Sequence, residues 1–167
     1  TGLYVKERKE AHMLIEDLML LANRRVAFHL SKNFTKVPFV YRVHDTPDIQ
    51  KLEEFGENAK RFGHKLKLDS PKNISAELNR LMNDIKGKPE QNILESLAIR
   101  CMAKAVYTTK NIGHYGLAFE HYTHFTSPIR RYPDLMVHRI LANVLDNHTL
   151  LYANREQLED KCRHSSA

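Results

Sequence analysis

Residues 122–135 have the sequence Tyr122-Thr123-His124-Phe125-Thr126-Ser127-Pro128-Ile129-Arg130-Arg131-Tyr132-Pro133-Asp134-Leu135. Ser127 suits a helix N-cap and Pro128 a first helical turn, but Pro133 cannot lie deep inside a helix. We therefore predict one tight turn from Ser127 and a new helix that starts near Pro133. Such helix starts expose unpaired N–H groups and the positive end of a helix dipole, both of which favour anions.

The two adjacent arginines in this stretch have different expected roles. Asp134 lies three residues after Arg131 and four before His138, a spacing that favours a local ladder of ion pairs. We assign Arg131, together with Arg139, mainly to that structural ladder. The guanidinium of Arg130 can bind two phosphate oxygens at once. From spacing alone, a substrate phosphate and a carboxylate partner remain equally open for Arg130.

Residues 114–132 are rich in aromatic rings and histidines. Single-stranded bases that stack on aromatic rings gain about 1–3 kcal/mol each. Packing in a core is the commoner role of rings near a turn, so both roles remain open here. His121 and His124 have a spacing that could bind a metal, but no third ligand follows at a suitable distance, which argues against zinc. The candidate stacking rings are Tyr115, Tyr122, Phe125 and Tyr132.

Outside this stretch, the pattern of apolar residues predicts a helix-rich α+β fold. Apolar residues recur at helical spacing over roughly 10–30, and two short strands are predicted at 36–44 and 64–68. Two short strands make a poor sheet by themselves, so we expect them to belong to an incomplete sheet. Further helices are predicted after Thr46, from Ser75, after Pro89, from about Pro133 to Val144 and from near Asn154.

Composition limits the class of protein. The 26 basic and 20 acidic residues give a net charge of +6, which fits a polyanionic partner without requiring one. Cys101 and Cys162 lie far apart, and Cys101 falls on an apolar helical stripe, which predicts a reduced thiol and a cytoplasmic protein. No apolar run reaches the length of a membrane span. The missing initiator methionine leads us to expect a fragment of a longer protein.

The chain lacks the residues that a two-metal phosphodiesterase needs. Such enzymes hold two cations about 4 Å apart with clustered carboxylates, yet the 167 residues contain no Asp-Asp or Asp-x-Asp pair. Glu16 and Asn23 are seven residues apart and therefore lie on one flank of the first helix. They could present an acceptor and an amide to a ribose, although a solvated helix edge is the reading that the residues alone favour.

The motif at residues 124–135 is preceded by Gly113-His114-Tyr115-Gly116-Leu117, and two further motifs come before them in order. These are Ile15-Glu16-Asp17-Leu18-Met19-Leu20-Leu21-Ala22-Asn23 and Tyr41-Arg42-Val43-His44-Asp45-Thr46-Pro47. Together they extend along nearly the whole chain and resemble the ribonuclease II and ribonuclease R family of exoribonucleases, with residues 124–135 as the most specific part. Asp17 is a mild departure, because the family more often has glutamate there.

The resemblance implies a magnesium-dependent, processive 3′→5′ exoribonuclease that degrades single-stranded RNA to nucleoside 5′-monophosphates. It implies a catalytic role for Arg130 at the scissile phosphate and a ribose contact for Glu16. It implies no metal ligand within this chain, because the aspartate cluster of the family lies upstream. The other residues implied to bind RNA are Asn23, His114, Tyr122, Thr126, Ser127, Arg131 and Tyr132.

The same resemblance sets the expected domain organisation. Residues 1–167 are expected to form the C-terminal portion of a single catalytic domain, which the parent protein flanks with RNA-binding domains. Because the metal site lies elsewhere, we expect the chain alone to be inactive. The alternative is a non-catalytic RNA-binding relative that kept the fold and lost the metals.

Overall fold

A computed structural model of the chain describes residues 9–67, 71–146 and 154–167. These residues fall into two compact units, one within Thr1–His44 and Ala105–Ala167 and the other within Asp45–Lys104. The first unit contains α1 (Glu10–Asn33), β1 (Tyr41–Val43), β2 (Val106–Thr108), α5 (Tyr132–Leu145) and α6 (Arg155–His164). The second contains α2 (Ile49–Arg61), α3 (Pro71–Asp84) and α4 (Gln91–Cys101).

The helix-rich α+β prediction is confirmed, and the sheet is as small as expected. β1 pairs with β2 in antiparallel register, with Arg42 opposite Tyr107. β2 was not predicted, because three residues give too short a pattern even when all of them favour strands. Its pairing with β1 is a contact between distant parts of the chain.

The second strand predicted at 64–68 is wrong for residues 64–67, and residue 68 lies outside the described residues. His64 instead donates its backbone N–H to the Ala59 carbonyl just beyond α2. Leu66 packs against the core of the second unit, and Arg80 donates to the Lys65 carbonyl at 3.2 Å. The alternation of apolar and basic residues therefore marks an extended connection beside helices.

Two predicted helix starts are also corrected. Asp48, not Thr46, caps α2, and its carboxylate accepts the N–H groups of Gln50 and Lys51. α3 already begins at Pro71, so Ser75 lies inside that helix. α2 ends at Arg61, and Gly63 just beyond it has a φ of +87°, the left-handed conformation that glycine allows.

α1, α5, α6 and the sheet enclose the core of the first unit. Glu159 of α6 accepts hydrogen bonds from the Thr109 N–H, from the Thr109 hydroxyl and from the Thr108 hydroxyl, which fastens α6 to the end of β2. The fully or almost fully buried apolar residues of this core are Ala27, Leu30, Phe39, Val40, Met136, Val137, Ile140, Leu158 and Cys162.

α2, α3 and α4 build the core of the second unit from Leu52, Phe55, Leu81, Ile85 and Leu94. Cys101 is a buried free thiol, as predicted, and its S–H lies 3.2 Å from the carbonyl of Leu97. Among the described residues, none of the helices has the length and apolar character needed to cross a membrane.

Candidate functional site

The candidate site is built on residues 122–131, here called the motif loop. The Ser127 carbonyl accepts the N–H groups of Arg130 and Arg131, which makes the predicted tight turn. α5 then begins at Tyr132 with Pro133 in its first turn, where the missing N–H of proline costs nothing. The predicted turn and helix restart are both confirmed.

Asn23 of α1 holds the first half of the motif loop. Its Oδ1 accepts the backbone N–H groups of Phe125 at 2.9 Å and Thr126 at 3.2 Å, and its Nδ2 donates to the Tyr122 hydroxyl at 3.2 Å. Asn23 is only 3% exposed. This geometry places Asn23 under the loop as a positioning residue, instead of on an open flank where a ribose could reach it.

Asp134 holds the second half of the motif loop. Its side chain is fully buried, and its Oδ1 accepts the Ser127 N–H and an Arg131 N–H, each at 2.8 Å. The Arg131–Asp134 ion pair therefore forms as the spacing suggested. Its carboxylate lies in the first turn of α5 and offsets the positive end of that helix dipole.

His138 does not join that ion-pair ladder. Its Nε2 lies 2.8 Å from the Phe125 carbonyl, and its ring stacks on the Phe125 ring with a centroid distance of 4.0 Å. The predicted ladder is therefore wrong at this residue, because the loop backbone competes for its ring nitrogen. Phe125 packs inward against the core as well, so it is no open stacking surface.

Arg130 is the exposed cation of the motif loop. Its Nη2 lies 3.4 Å from the Ser127 hydroxyl, and no carboxylate of the described residues comes within 4 Å of its guanidinium. Tyr132, two residues later, is 47% exposed. Among the residues of the motif loop and the start of α5 that are predicted to contact RNA, Arg130 and Tyr132 are exposed.

Tyr122 lies inside the protein. It is 4% exposed, and its ring contacts the rings of His114, Phe119 and His124 at centroid distances of 5.3 to 5.7 Å. Base stacking needs an open face, which this ring lacks. The Thr126 hydroxyl and His114 Nδ1 are also buried, and neither has a hydrogen-bond partner within the described part of the chain.

Two histidines beside the loop are held in the neutral form. Burial is the main reason that the pKa of His114 falls to about 4, and the neighbouring His44 lowers it further. Burial also lowers the pKa of His124 to about 4, with the Arg131 guanidinium as the next cause. His124 Nδ1 lies 2.8 Å from the Tyr107 hydroxyl, a contact that suits a neutral ring.

These two histidines predict acid sensitivity. Each folded pKa of about 4 lies below the ordinary value of 6.5, so the unfolded chain binds more protons between these limits. The contribution of these two histidines to the free energy of unfolding is therefore fully present above pH 6.5 and is lost as the pH falls towards 4. We expect urea midpoints to fall across this window and to fall less in a His124→Gln variant. A His29→Gln control, at an exposed site on α1, should keep the full dependence.

Glu16 and Asn23 do not share one environment. Glu16 is exposed, whereas Asn23 is buried under the motif loop. His121 and His124 likewise have different hydrogen-bond partners. The His121 ring contacts the Asn111 side chain at 2.8 Å, and the His124 ring contacts the Tyr107 hydroxyl. Within residues 9–67, 71–146 and 154–167, no three His, Cys, Asp or Glu side chains form a group that could hold a metal ion.

Sequence reasoning missed Arg42, although it lies within a quoted motif. Its guanidinium is 4.5 Å from the centroid of the Tyr107 ring, and its backbone N–H donates to the Tyr122 carbonyl at 3.0 Å. A single basic residue inside an otherwise apolar strand was the available signal. Its position beside the motif loop depends on the pairing of β1 with β2, which the sequence pattern did not show.

Comparison with known proteins places this site in a family. The model of the RNB domain matches residues 1–147, so the chain belongs to the RNB domain family. Ribonuclease R of Aquifex aeolicus is 43% identical over 153 residues, which are 91% of this chain and 21% of that protein. The chain thus spans about a fifth of the length of this curated relative.

Solved structures share the fold. Mycoplasma genitalium RNase R, in complex with ribose-methylated single-stranded RNA, matches with a TM-score of 0.77 and 32% identity, over 96% of this chain and 25% of that one. Yeast Ssd1, described as a pseudonuclease, matches with a TM-score of 0.77 and 24% identity, over 95% of this chain and 20% of that one. The second likeness concerns the fold alone.

Proposed function

We propose that this chain is the phosphate-binding portion of the catalytic domain of a processive 3′→5′ exoribonuclease, which degrades single-stranded RNA to nucleoside 5′-monophosphates. The observation that carries the proposal is the exposed guanidinium of Arg130 on a loop held by two buried side chains, Asn23 and Asp134. Relatives named ribonuclease R, and a similar structure with bound RNA, support the substrate class.

Arg130 would act on the scissile phosphate. Its planar set of N–H donors matches two phosphate oxygens, and it can stabilise the charge that develops on them as the P–O bond breaks. Fixed donors are worth more than mobile ones, because no reorganisation is needed when the charge forms. The hydrogen bonds of Asn23 and Asp134 fix the backbone of the loop that carries the Arg130 guanidinium.

Glu16 would bind the ribose near the 3′ end. A carboxylate only accepts hydrogen bonds when ionised, so it suits the donor hydrogen of a ribose 2′-hydroxyl and would favour RNA over DNA. We retain Tyr132, Ser127, Thr126 and His114 as proposed RNA contacts around Arg130. Arg131 and Tyr122 fit a supporting role better, because one is ion-paired and the other is buried.

The described residues do not fit a magnesium site, because they contain no group of three metal-binding side chains. Magnesium, when bound to such an enzyme, can activate the attacking water and neutralise phosphate charge. We propose that carboxylates upstream in a longer protein hold it, and that RNA-binding domains flank the catalytic domain there. The chain alone is then inactive.

The test uses 5′-labelled single-stranded RNA with magnesium. The 167-residue chain is compared with a protein extended upstream by about 150 residues, roughly one domain. We expect stepwise 3′ shortening only from the extended protein. Shortening by the chain alone would contradict the upstream metal site.

A non-catalytic RNA-binding protein is the second candidate, because the fold itself is equally compatible with it. The fold matches the pseudonuclease Ssd1 with the same TM-score as it matches Mycoplasma RNase R. The fold alone therefore does not separate the two functions. An extended protein that binds RNA in magnesium without ever shortening it would decide for this candidate.

A further inference from the structure

Arg42 carries a positive charge that the described chain leaves without a partner. It is half-buried, and neither a carboxylate within 4 Å nor a hydrogen-bond acceptor for its guanidinium is found among the described residues. Within the described residues, the guanidinium carbon lies over the Tyr107 ring, 4.5 Å from its centroid. A ring attracts the cation but accepts none of its five N–H donors in the plane of the guanidinium.

The guanidinium nitrogens of Arg42 are not among the buried side-chain atoms that lack a hydrogen-bond partner in the described residues, so these donors remain open to solvent and to a ligand. Tyr107 is 8% exposed and its hydroxyl contacts His124, so the ring that supports Arg42 is itself fixed. The arrangement holds the guanidinium in place and leaves its donors for a ligand. Arginine is suited to this role, since it can stack on a ring and bind a phosphate at the same time.

Arg42 also belongs to the surroundings of the motif loop. Its backbone N–H is bonded to the Tyr122 carbonyl at one end of the loop, and Arg131 lies at the other end. Burial is the main cause of the lowered pKa of His124, and the positive charges of Arg131 and Arg42 lower it further. Both cations therefore lie close to this ring. Asp134 balances Arg131, whereas no carboxylate in the described part of the chain lies within 4 Å of the Arg42 guanidinium.

We propose that Arg42 is a second phosphate-binding residue, which contacts the RNA backbone at a phosphate other than the one bound by Arg130. The proposal rests on the proposed function for its ligand, RNA. It assigns Arg42 to substrate binding and leaves the chemical step to Arg130. The competing explanation is that Arg42 only supports the Tyr107 ring.

The test is the salt dependence of RNA binding by the full-length protein that carries this chain, measured by fluorescence anisotropy in a magnesium-free buffer. Each phosphate contact on single-stranded nucleic acid adds about 0.7 to the magnitude of the slope of log K against log salt. We expect Arg42→Gln to lower that magnitude by about 0.7 and to weaken binding roughly tenfold. Arg42→Lys should restore most of the slope, because the charge returns.

Arg155→Gln is the matched control, since it removes the same charge from an exposed position on α6. Equal changes in both variants would show a long-range field effect and overturn the proposal. Weaker binding with an unchanged slope would show that Arg42 only supports Tyr107, and would also overturn it. If Arg42→Gln changed the affinity for a nucleoside 5′-monophosphate but left the salt slope of RNA binding unchanged, Arg42 would bind the product and not the RNA backbone. That result would also overturn the proposal.

Failure of this inference is distinguishable from failure of the proposed function. If the parent protein shortens RNA but Arg42→Gln keeps the full slope, only the inference fails. If the parent binds RNA with the predicted slope change but never shortens it in magnesium, the nuclease proposal fails and Arg42 remains a phosphate ligand. A parent that does not bind RNA overturns both.

Discussion

Replacing Arg130 with alanine is expected to lower the rate of RNA shortening by about a hundredfold to a thousandfold, the usual effect of removing one donor that stabilises transition-state charge. The side chain is exposed, and its one hydrogen-bond contact within the described residues is the Ser127 hydroxyl at 3.4 Å, so little folding energy depends on it. The loss should therefore appear in the chemical step. Single-turnover shortening of 5′-labelled RNA by the full-length protein measures it directly.

The controls separate chemistry from folding and from charge. The urea midpoint of Arg130→Ala should stay close to that of the parent, because exposed substitutions rarely exceed about 0.5 kcal/mol. Arg130→Lys keeps the charge but loses the paired donors, so we expect its rate of RNA shortening to lie between those of Arg130→Ala and the parent. Arg139→Ala, an exposed arginine on α5, should leave the rate nearly unchanged. If Arg130→Ala shortened RNA at the parental rate, Arg130 would have no catalytic role.

Local chemistry explains which features could be predicted. The restart of α5 follows from Pro133 itself, because proline lacks an N–H and fixes its own φ. The Arg131–Asp134 pair also follows from short spacing along one turn. Such features depend on neighbours within a few residues, so a single sequence carries them.

The role of Asn23 could not be predicted in the same way. The flank of α1 that carries it looks solvated by periodicity, but residues about a hundred positions later cover it. Only the folded chain brings Phe125 and Thr126 to its Oδ1. The contact of Arg42 with the Tyr107 ring depends equally on the pairing of two three-residue strands. Contacts across long sequence separations thus decided which polar residues support the site and which face solvent.

Replacing Asp134 with alanine is expected to have the largest effect on stability, about 3 kcal/mol. The substitution removes the acceptor of the Ser127 N–H and leaves the Arg131 cation, whose side chain is 21% exposed, without its carboxylate. Breaking a buried pair from one side costs about 3–5 kcal/mol, because the remaining charge stays desolvated. The partial exposure of Arg131 places the expected value at the lower end of that range.

Asp160→Ala provides the matched control for this prediction. Asp160 also pairs with an arginine three residues away, Arg163, but both side chains are more than 60% exposed. Exposed pairs contribute about 0–1 kcal/mol, since water and salt screen them. Urea unfolding should therefore show a much larger loss of stability for Asp134→Ala, whose carboxylate is buried and also accepts the Ser127 N–H, than for Asp160→Ala. Equal losses in both variants would mean that Asp134 does not hold the motif loop, and the fixed position proposed for Arg130 would lose its support.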